Sequence, residues 1–344
     1  MDRATDAVEA TADSARLRER FLEALEWMLL ARVVDEKMGA LYRAGKVTGG
    51  VYLGTGQEAL SAAIGTSLRK GDVFAPLIRD GAGRFAFGES VLDAIRTCLG
   101  SSLGPMRGRD GNVHRGRPKE GLLPMLSHLG AMISVVNGVL MARRGRGVTD
   151  VVGAVSIGDG ATSTGAFHEG LNQAAVENLP LVLVVANNRY AYSTPNERQF
   201  VCESLLDKAA GYGVWGRACD GVDLESCLEV LAGAVAAARN GEGPQLVVAD
   251  LLRLCGHGEH DDAAYVSAAL KASPAGRDCV KVAEETAVSN GWVEAGELDA
   301  MKAAKRGQVE EAVARTLGEP APDPYKESWY ALASKHLSET HDEV

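Results

Sequence analysis

With 344 residues and 46% hydrophobic content, the chain can bury a sizeable core in one large or two ordinary domains. A formal net charge of −10 argues against nucleic acid as a partner, and no run of about eighteen apolar residues is present to span a membrane. The six cysteines, Cys98, Cys202, Cys219, Cys227, Cys255 and Cys279, form no Cys-x-x-Cys pair and the acidic start does not read as a secretory signal, so a reduced, cytoplasmic protein is expected.

Residues 1–14 are polar and read as a loose arm, residues 15–320 as one α/β domain, and 321–344 as a tail whose charged end from Ser338 is mobile. Leu17 to Tyr42 has helical spacing, with Phe21, Leu25, Met28, Leu29 and Val33 on one face. A glycine-rich stretch up to Gln57 leads into a second helix, Ala59 to Leu68, stopped by Gly71. Val73 to Ile78 is a short strand, followed by Arg79-Asp80, which by itself reads as a surface ion pair. Arg107 to Arg117 (RGRDGNVHRGR) has no periodicity and is a loop. Its four arginines fit either recognition of a carboxylate, phosphate or partner, or a solvated charge run. His114 within it has no second ligand at metal spacing. Leu129 to Ala142 is rich in small residues (Gly130, Ala131, Ser134, Gly138), as suits a helix packed closely on a sheet.

The stretch from Val151 to Tyr190 reads as strand, helix, strand. An apolar run to Ile157 stops at Gly158-Asp159-Gly160; Thr162, Ser163 or Thr164 caps a helix with Phe167, Leu171 and Ala175 one turn apart; a second apolar run, Leu181 to Ala186, closes at Asn187-Asn188. A right-handed crossover makes the strands parallel, so Asp159 and Asn188 reach the same sheet edge, where ligands of open α/β sheets bind. The helix start offers N–H groups to phosphate, and a carboxylate beside an amide carbonyl suits Mg²⁺ or Ca²⁺ between protein and diphosphate. Taken singly, Gly-Asp-Gly and Asn-Asn are turns. The glycine spacing does not fit the dinucleotide fingerprint. A Mg²⁺-dependent phosphohydrolase built on Asp159 is an alternative that no adjacent carboxylate supports.

Beyond Tyr190 come a loop at Ser193-Thr194-Pro195, a helix (Ser204 to Ala210), a strand (Val214 to Ala218), a helix (Leu224 to Ala238) and a strand (Gln245 to Leu254). Alternation of this kind predicts a doubly wound, mostly parallel sheet with helices on both faces and helical extensions at the two ends. The loop RLCGHGEHDDAAY holds His257, His260, Asp261 and Asp262, a conceivable but geometrically loose metal cluster. Helices follow at about Arg277 to Ser289 and Glu297 to Leu317.

From Gly158-Asp159-Gly160 to Asn187-Asn188 the chain resembles the thiamine diphosphate motif. With FHEGLNQAA inside it and NNRYAYSTP after it, residues 47–265 resemble the alpha subunit of the decarboxylating dehydrogenase component of 2-oxo acid dehydrogenase complexes. The resemblance implies the cofactors thiamine diphosphate and Mg²⁺. It gives the metal to Asp159, Asn188 and the Tyr190 carbonyl, and the diphosphate to Arg79, Gly160 and Ala161. The aminopyrimidine ring goes to the Ser127 carbonyl and Leu129 N–H, and His257 lies over the thiazolium as the catalytic residue. His114 matches a histidine of a loop near the active site. Where the family has an aromatic residue before the arginine, Ile78 stands here. Ala131 and Met132 replace the side chains that some members use for a monovalent cation, so no such site is expected. Gly258 stands where mammalian members carry a regulatory phosphoserine.

The implied reaction is oxidative decarboxylation of a 2-oxo acid, with acyl transfer to lipoamide on a separate lipoyl-bearing acyltransferase. The pyrimidine-activating carboxylate belongs to a beta subunit, so the expected assembly has two alpha and two beta chains, inactive when one is missing. The Ser127 turn leans toward branched-chain 2-oxo acids and Asn188-Arg189-Tyr190 toward pyruvate. Acetoin is the alternative substrate, and a non-catalytic binding or assembly protein of the same fold is the rival class.

Overall fold

In the computed structural model, which describes residues 3–47, 49–111 and 114–326, the two apolar runs around Gly158 are the central strands of a five-stranded parallel sheet. β1 (Val73–Ala75), β2 (Gly153–Gly158), β3 (Leu181–Asn187), β6 (Trp215–Asp220) and β7 (Gln245–Asp250) lie in the order β1-β2-β3-β7-β6. A two-stranded hairpin, β4 (Tyr190–Ala191) and β5 (Thr194–Pro195), stands apart from the sheet. The side-chain period of two divides β3 cleanly. Val182, Val184 and Ala186 enter one core, and Leu181, Leu183 and Val185 the other. Burial on both faces is why these strands are continuous apolar runs.

One core is closed by α1 (Arg3–Arg43), α2 (Glu58–Ser67) and α8 (Leu224–Arg239), the other by α5 (Ala131–Gly145), α6 (Gly165–Val176) and α7 (Leu206–Gly211). Phe167 and Leu171 of α6 are fully buried, each contributing on the order of 1.5–3 kcal/mol. Thr164 caps α6, its hydroxyl accepting the Phe167 N–H at 3.3 Å. The close approach of α5 to β2 depends on Gly153, where a Cβ would lie 2.4 Å from Val136.

The crossovers β2-α6-β3 and β6-α8-β7 run in opposite directions along the sheet, which puts their helices on opposite faces. The connections therefore part between β3 and β7, where Asn187 sits opposite Asp250. Gly158 sits opposite Ala186, so Asp159 and Asn188 leave the sheet at one edge, as expected.

Several bounds differ from the sequence reading. α1 is already helical from Arg3, so it takes in most of the stretch read as a loose arm. β1 stops at Ala75, and 76–80, opening with Pro76, form a loop. β7 stops at Asp250, since its neighbour β3 ends at Asn187. α3 (Gly81–Ala86), α4 (Val91–Leu99) and α9 (Ala268–Lys271) were not anticipated. α10 (Cys279–Ser289) and α11 (Ala295–Leu317) match the two expected C-terminal helices, and α11 packs on α1 and α4. The tail from Ser338 lies outside the described residues. Among those described, no helix is long and apolar enough to cross a membrane.

Candidate active site at the sheet edge

A cavity of about 440 Å³ opens at the carboxyl ends of β1 and β2. Its wall includes Ser127, Leu129, Ala161 and His257 of the residues predicted from sequence, together with Gly158, Ile78 and His114. Asp159, Gly160, Asn188 and Tyr190 lie just beyond this wall, around the turn that follows β2.

Asp159 is 1% exposed, and burial pushes its carboxyl above the usual range. Oδ2 accepts a hydrogen bond from Gln199 Nε2 at 2.9 Å, whereas Oδ1 is buried without a donor. An orphaned carboxylate oxygen in this position fits a hard cation, and the donor set, a carboxylate, an amide and a main-chain carbonyl, is all oxygen. Asn188 is also buried, and its Oδ1 accepts the Tyr190 N–H at 3.3 Å. Arg189 (φ 71°) and Tyr192 (φ 56°) adopt the left-handed backbone that glycine favours, and these two kinks fold the β4-β5 hairpin back over Gly160. A Cβ on Gly160 would lie 2.6 Å from Ala191 Cβ. Close packing of the hairpin therefore demands glycine there.

Arg79 is 5% exposed rather than on the surface, so the ion-pair reading of Arg79-Asp80 fails. Its Nη1 donates to the Leu53 carbonyl and its Nη2 to the His257 carbonyl, both at 2.7 Å. It faces a smaller crevice of about 70 Å³ beside the main cavity. Burial lowers its pKa to about 10, which leaves it charged at neutral pH. Gly54 lets the chain pass this loop, because a Cβ there would lie 2.3 Å from the Arg79 carbonyl oxygen.

His257 is held between Tyr52, at 5.4 Å between ring centroids, and Tyr192, at 4.4 Å. Its pKa is lowered to about 4, first by burial and then by the charges of Arg79 and Arg253. The imidazole is therefore neutral at physiological pH. Arg79 Nη2 lies 3.4 Å from Nδ1. A guanidinium can only donate, so Nδ1 is the acceptor and the proton sits on Nε2. Asp261 shapes this loop, taking the His257 N–H at 2.6 Å and the Tyr265 hydroxyl at 2.7 Å. Although burial pushes it up, those donors hold its pKa at about 2. The metal cluster conceived for His257, His260, Asp261 and Asp262 is not formed: no such group of three exists among the described residues.

Ser127 and Leu129 are exposed on the turn before α5. His114 bridges this turn to the arginine loop, with Nδ1 at 2.5 Å from Asp110 Oδ2 and Nε2 at 3.0 Å from Ser127 Oγ. Within the loop Arg115 and Arg117 are paired rather than solvated, whereas Arg107 is exposed. Glu89 receives bidentate hydrogen bonds of 2.8–2.9 Å from Arg84 and Arg115, and all three side chains are buried. Arg117 pairs with Asp93 at 2.8 Å. Glu89, Gln199, Tyr52 and Tyr192 escaped sequence reasoning, because nothing in their spacing marks them as neighbours of the site.

The comparisons agree with one another. Residues 26–325 match the family model described as Dehydrogenase E1 component. The alpha subunit of acetoin:2,6-dichlorophenolindophenol oxidoreductase of Cupriavidus necator is 32% identical over 92% of this chain and 96% of its own length. The 2-oxoisovalerate dehydrogenase subunit alpha of Bacillus subtilis is 35% identical over 68% of this chain and 71% of its own. The pyruvate dehydrogenase E1 component subunit alpha of Rhizobium meliloti is 29% identical over 89% and 88%.

Proposed function

Since the chain belongs to the Dehydrogenase E1 component family, we propose that it is the alpha subunit of a thiamine diphosphate-dependent 2-oxo acid dehydrogenase, acting on a branched-chain 2-oxo acid or pyruvate and passing the acyl group to lipoamide. Asp159, Asn188 and the Tyr190 carbonyl would hold Mg²⁺. Arg79, Gly160 and Ala161 would meet the diphosphate, and Ser127 and Leu129 the aminopyrimidine. When bound, thiamine diphosphate would supply the nucleophilic and electron-accepting chemistry that no side chain offers.

The chain's own part is binding, orientation and exclusion of water. Ile78, Leu126, Leu129 and Met132 give the cavity a largely apolar lining. His257, neutral and fixed by Arg79, offers Nε2–H as a hydrogen-bond donor to a substrate oxygen rather than acting as a cation toward the carboxylate. Arg79 supplies positive charge behind it. A beta subunit, in a two-alpha, two-beta assembly, would complete the site, and a lipoyl-bearing acyltransferase would take the product.

The observation that carries this reading is the buried, donorless Asp159 Oδ1 at the edge shared with Asn188. The test is calorimetric titration of thiamine diphosphate, with and without Mg²⁺, into the chain co-purified with its beta partner. Mg²⁺-dependent binding is expected; none at all would favour a non-catalytic protein of the same fold. Acetoin is the second reading, supported by the Cupriavidus necator relative, 32% identical over 92% of this chain and 96% of its own length. Steady-state assays of the reconstituted assembly with branched-chain 2-oxo acids, pyruvate and acetoin rank the three.

A further inference from the structure

Asp159 Oδ1 is not the only buried oxygen here without a donor. Gln199 Oε1 is a second, on a residue that none of the site assignments includes. Its orientation is determined by its surroundings. Nε2 of the same amide is 2.9 Å from Asp159 Oδ2 and 2.9 Å from the Thr194 carbonyl. The two main-chain and carboxylate acceptors would repel an amide oxygen, so the nitrogen faces them and Oε1 is turned toward the Gly160 turn. There it lies 3.6 Å from the position a Cβ on Gly160 would occupy. The Gln199 backbone is held as well: its carbonyl accepts the Ser163 hydroxyl at 2.9 Å and its N–H donates to the Asn196 carbonyl at 2.9 Å. Each buried acceptor left unmade costs on the order of 1–3 kcal/mol. Two of them on hydrogen-bonded neighbours mark a place built to receive something that donates.

We infer that Gln199 is a positioning residue for the divalent cation: its Oε1 accepts a hydrogen from a water bound to the ion that Asp159 Oδ1 ligates. Magnesium gives up its waters reluctantly, and a water on the ion has both hydrogens to place. One goes to Gln199, which orients the hydrated face of the ion, while Nε2 keeps Asp159 aligned through its other oxygen. One amide serves both tasks because its donor and acceptor are separated by a single carbon. The inference rests on the cation reading proposed above and goes beyond it in naming a residue outside the ligand set.

The experiment titrates Mn²⁺ into the full chain with its beta partner and saturating thiamine diphosphate, following free Mn²⁺ by electron paramagnetic resonance, so no turnover is needed. Gln199→Met keeps the shape and removes both polar atoms; cation affinity should fall 10- to 100-fold, the usual effect of losing an outer-shell partner. Gln199→Glu loses the amide donor but keeps an acceptor for the water, and a proton shared with Asp159 relieves the oxygen–oxygen contact at Oδ2; its affinity should lie well above that of the Met variant. If Gln199 does not hold the water, the Glu variant binds as weakly as the Met variant, and the inference is overturned. It is equally overturned if the Met variant binds like wild type. Failure of the wild type itself to bind Mn²⁺ would instead remove the underlying cation reading, and this inference with it.

Discussion

Replacing Asp159 by asparagine separates what this residue does for the fold from what it does for a ligand. Wild type buries a carboxylate whose Oδ1 has no donor and whose pKa is pushed upward by that burial. The amide is isosteric and uncharged, and its oxygen can still accept from Gln199 Nε2. Without ligand the variant should be as stable as wild type or more stable by about 1 kcal/mol, since an uncompensated charge leaves the interior. For a chain of this size that is a rise in Tm of about 1–2 °C. With Mg²⁺ and thiamine diphosphate at about 100 times Kd, wild type should gain about 2.7 kcal/mol and the variant almost none, so their order reverses. Scanning calorimetry of both proteins at one pH, with and without the ligands, reads all four values. Equal ligand-dependent shifts in the two proteins would refute the assignment of Asp159 to the cation. Marked destabilisation of the ligand-free variant would show that the carboxylate is there for the fold.

Glu89→Gln leaves the buried guanidiniums of Arg84 and Arg115 without their shared counter-charge. Stability should fall by about 3–5 kcal/mol in urea unfolding, and a loss below about 1 kcal/mol would contradict the geometry. Because the folded His257 pKa is lowered to about 4, the unfolded chain takes up the proton first as pH falls below the ordinary value of 6.5. The stability from neutral His257 is thus complete above pH 6.5 and is lost progressively toward pH 4. The full shift corresponds to about 3 kcal/mol, and solvent screening of this partly exposed ring reduces it to about 1 kcal/mol. Asp35 and Asp80, raised by burial to about 7 and about 6, give the opposite slope in both proteins, so the difference between wild type and His257→Gln isolates the ring. A difference independent of pH between 7 and 4.5 would contradict the His257 assignment. Gly160→Ala sets a methyl 2.6 Å from Ala191 Cβ. It should displace the hairpin, which carries the Tyr190 carbonyl proposed to hold the ion, and weaken thiamine diphosphate binding at least about tenfold in calorimetry, the order of effect of losing support for a metal ligand. Unchanged binding would mean that the hairpin does not position the site.

The strands and helices around Gly158 were legible because their signals are local. Apolar runs of strand length, a threonine cap and residues recurring once per turn are properties of adjacent positions, and the parallel crossover brings Asp159 and Asn188 to one edge without further information. Family resemblance added roles for Arg79, Ser127 and His257 that spacing alone does not contain. Neither source revealed that Arg79 is buried against the His257 carbonyl, that two arginines converge on Glu89, or that Gln199 stands at Asp159. Those facts depend on where loops from β1, β3 and β7 come to rest. A loop residue has no periodicity to betray its neighbours, and its partners are separated from it by tens or hundreds of positions. Composition and pattern therefore determined the sheet and which of its edges carries the site. The charge state of His257 and the unsatisfied oxygens around Asp159 were decided only when distant loops were packed together, since burial and the field of nearby cations are properties of the assembled structure.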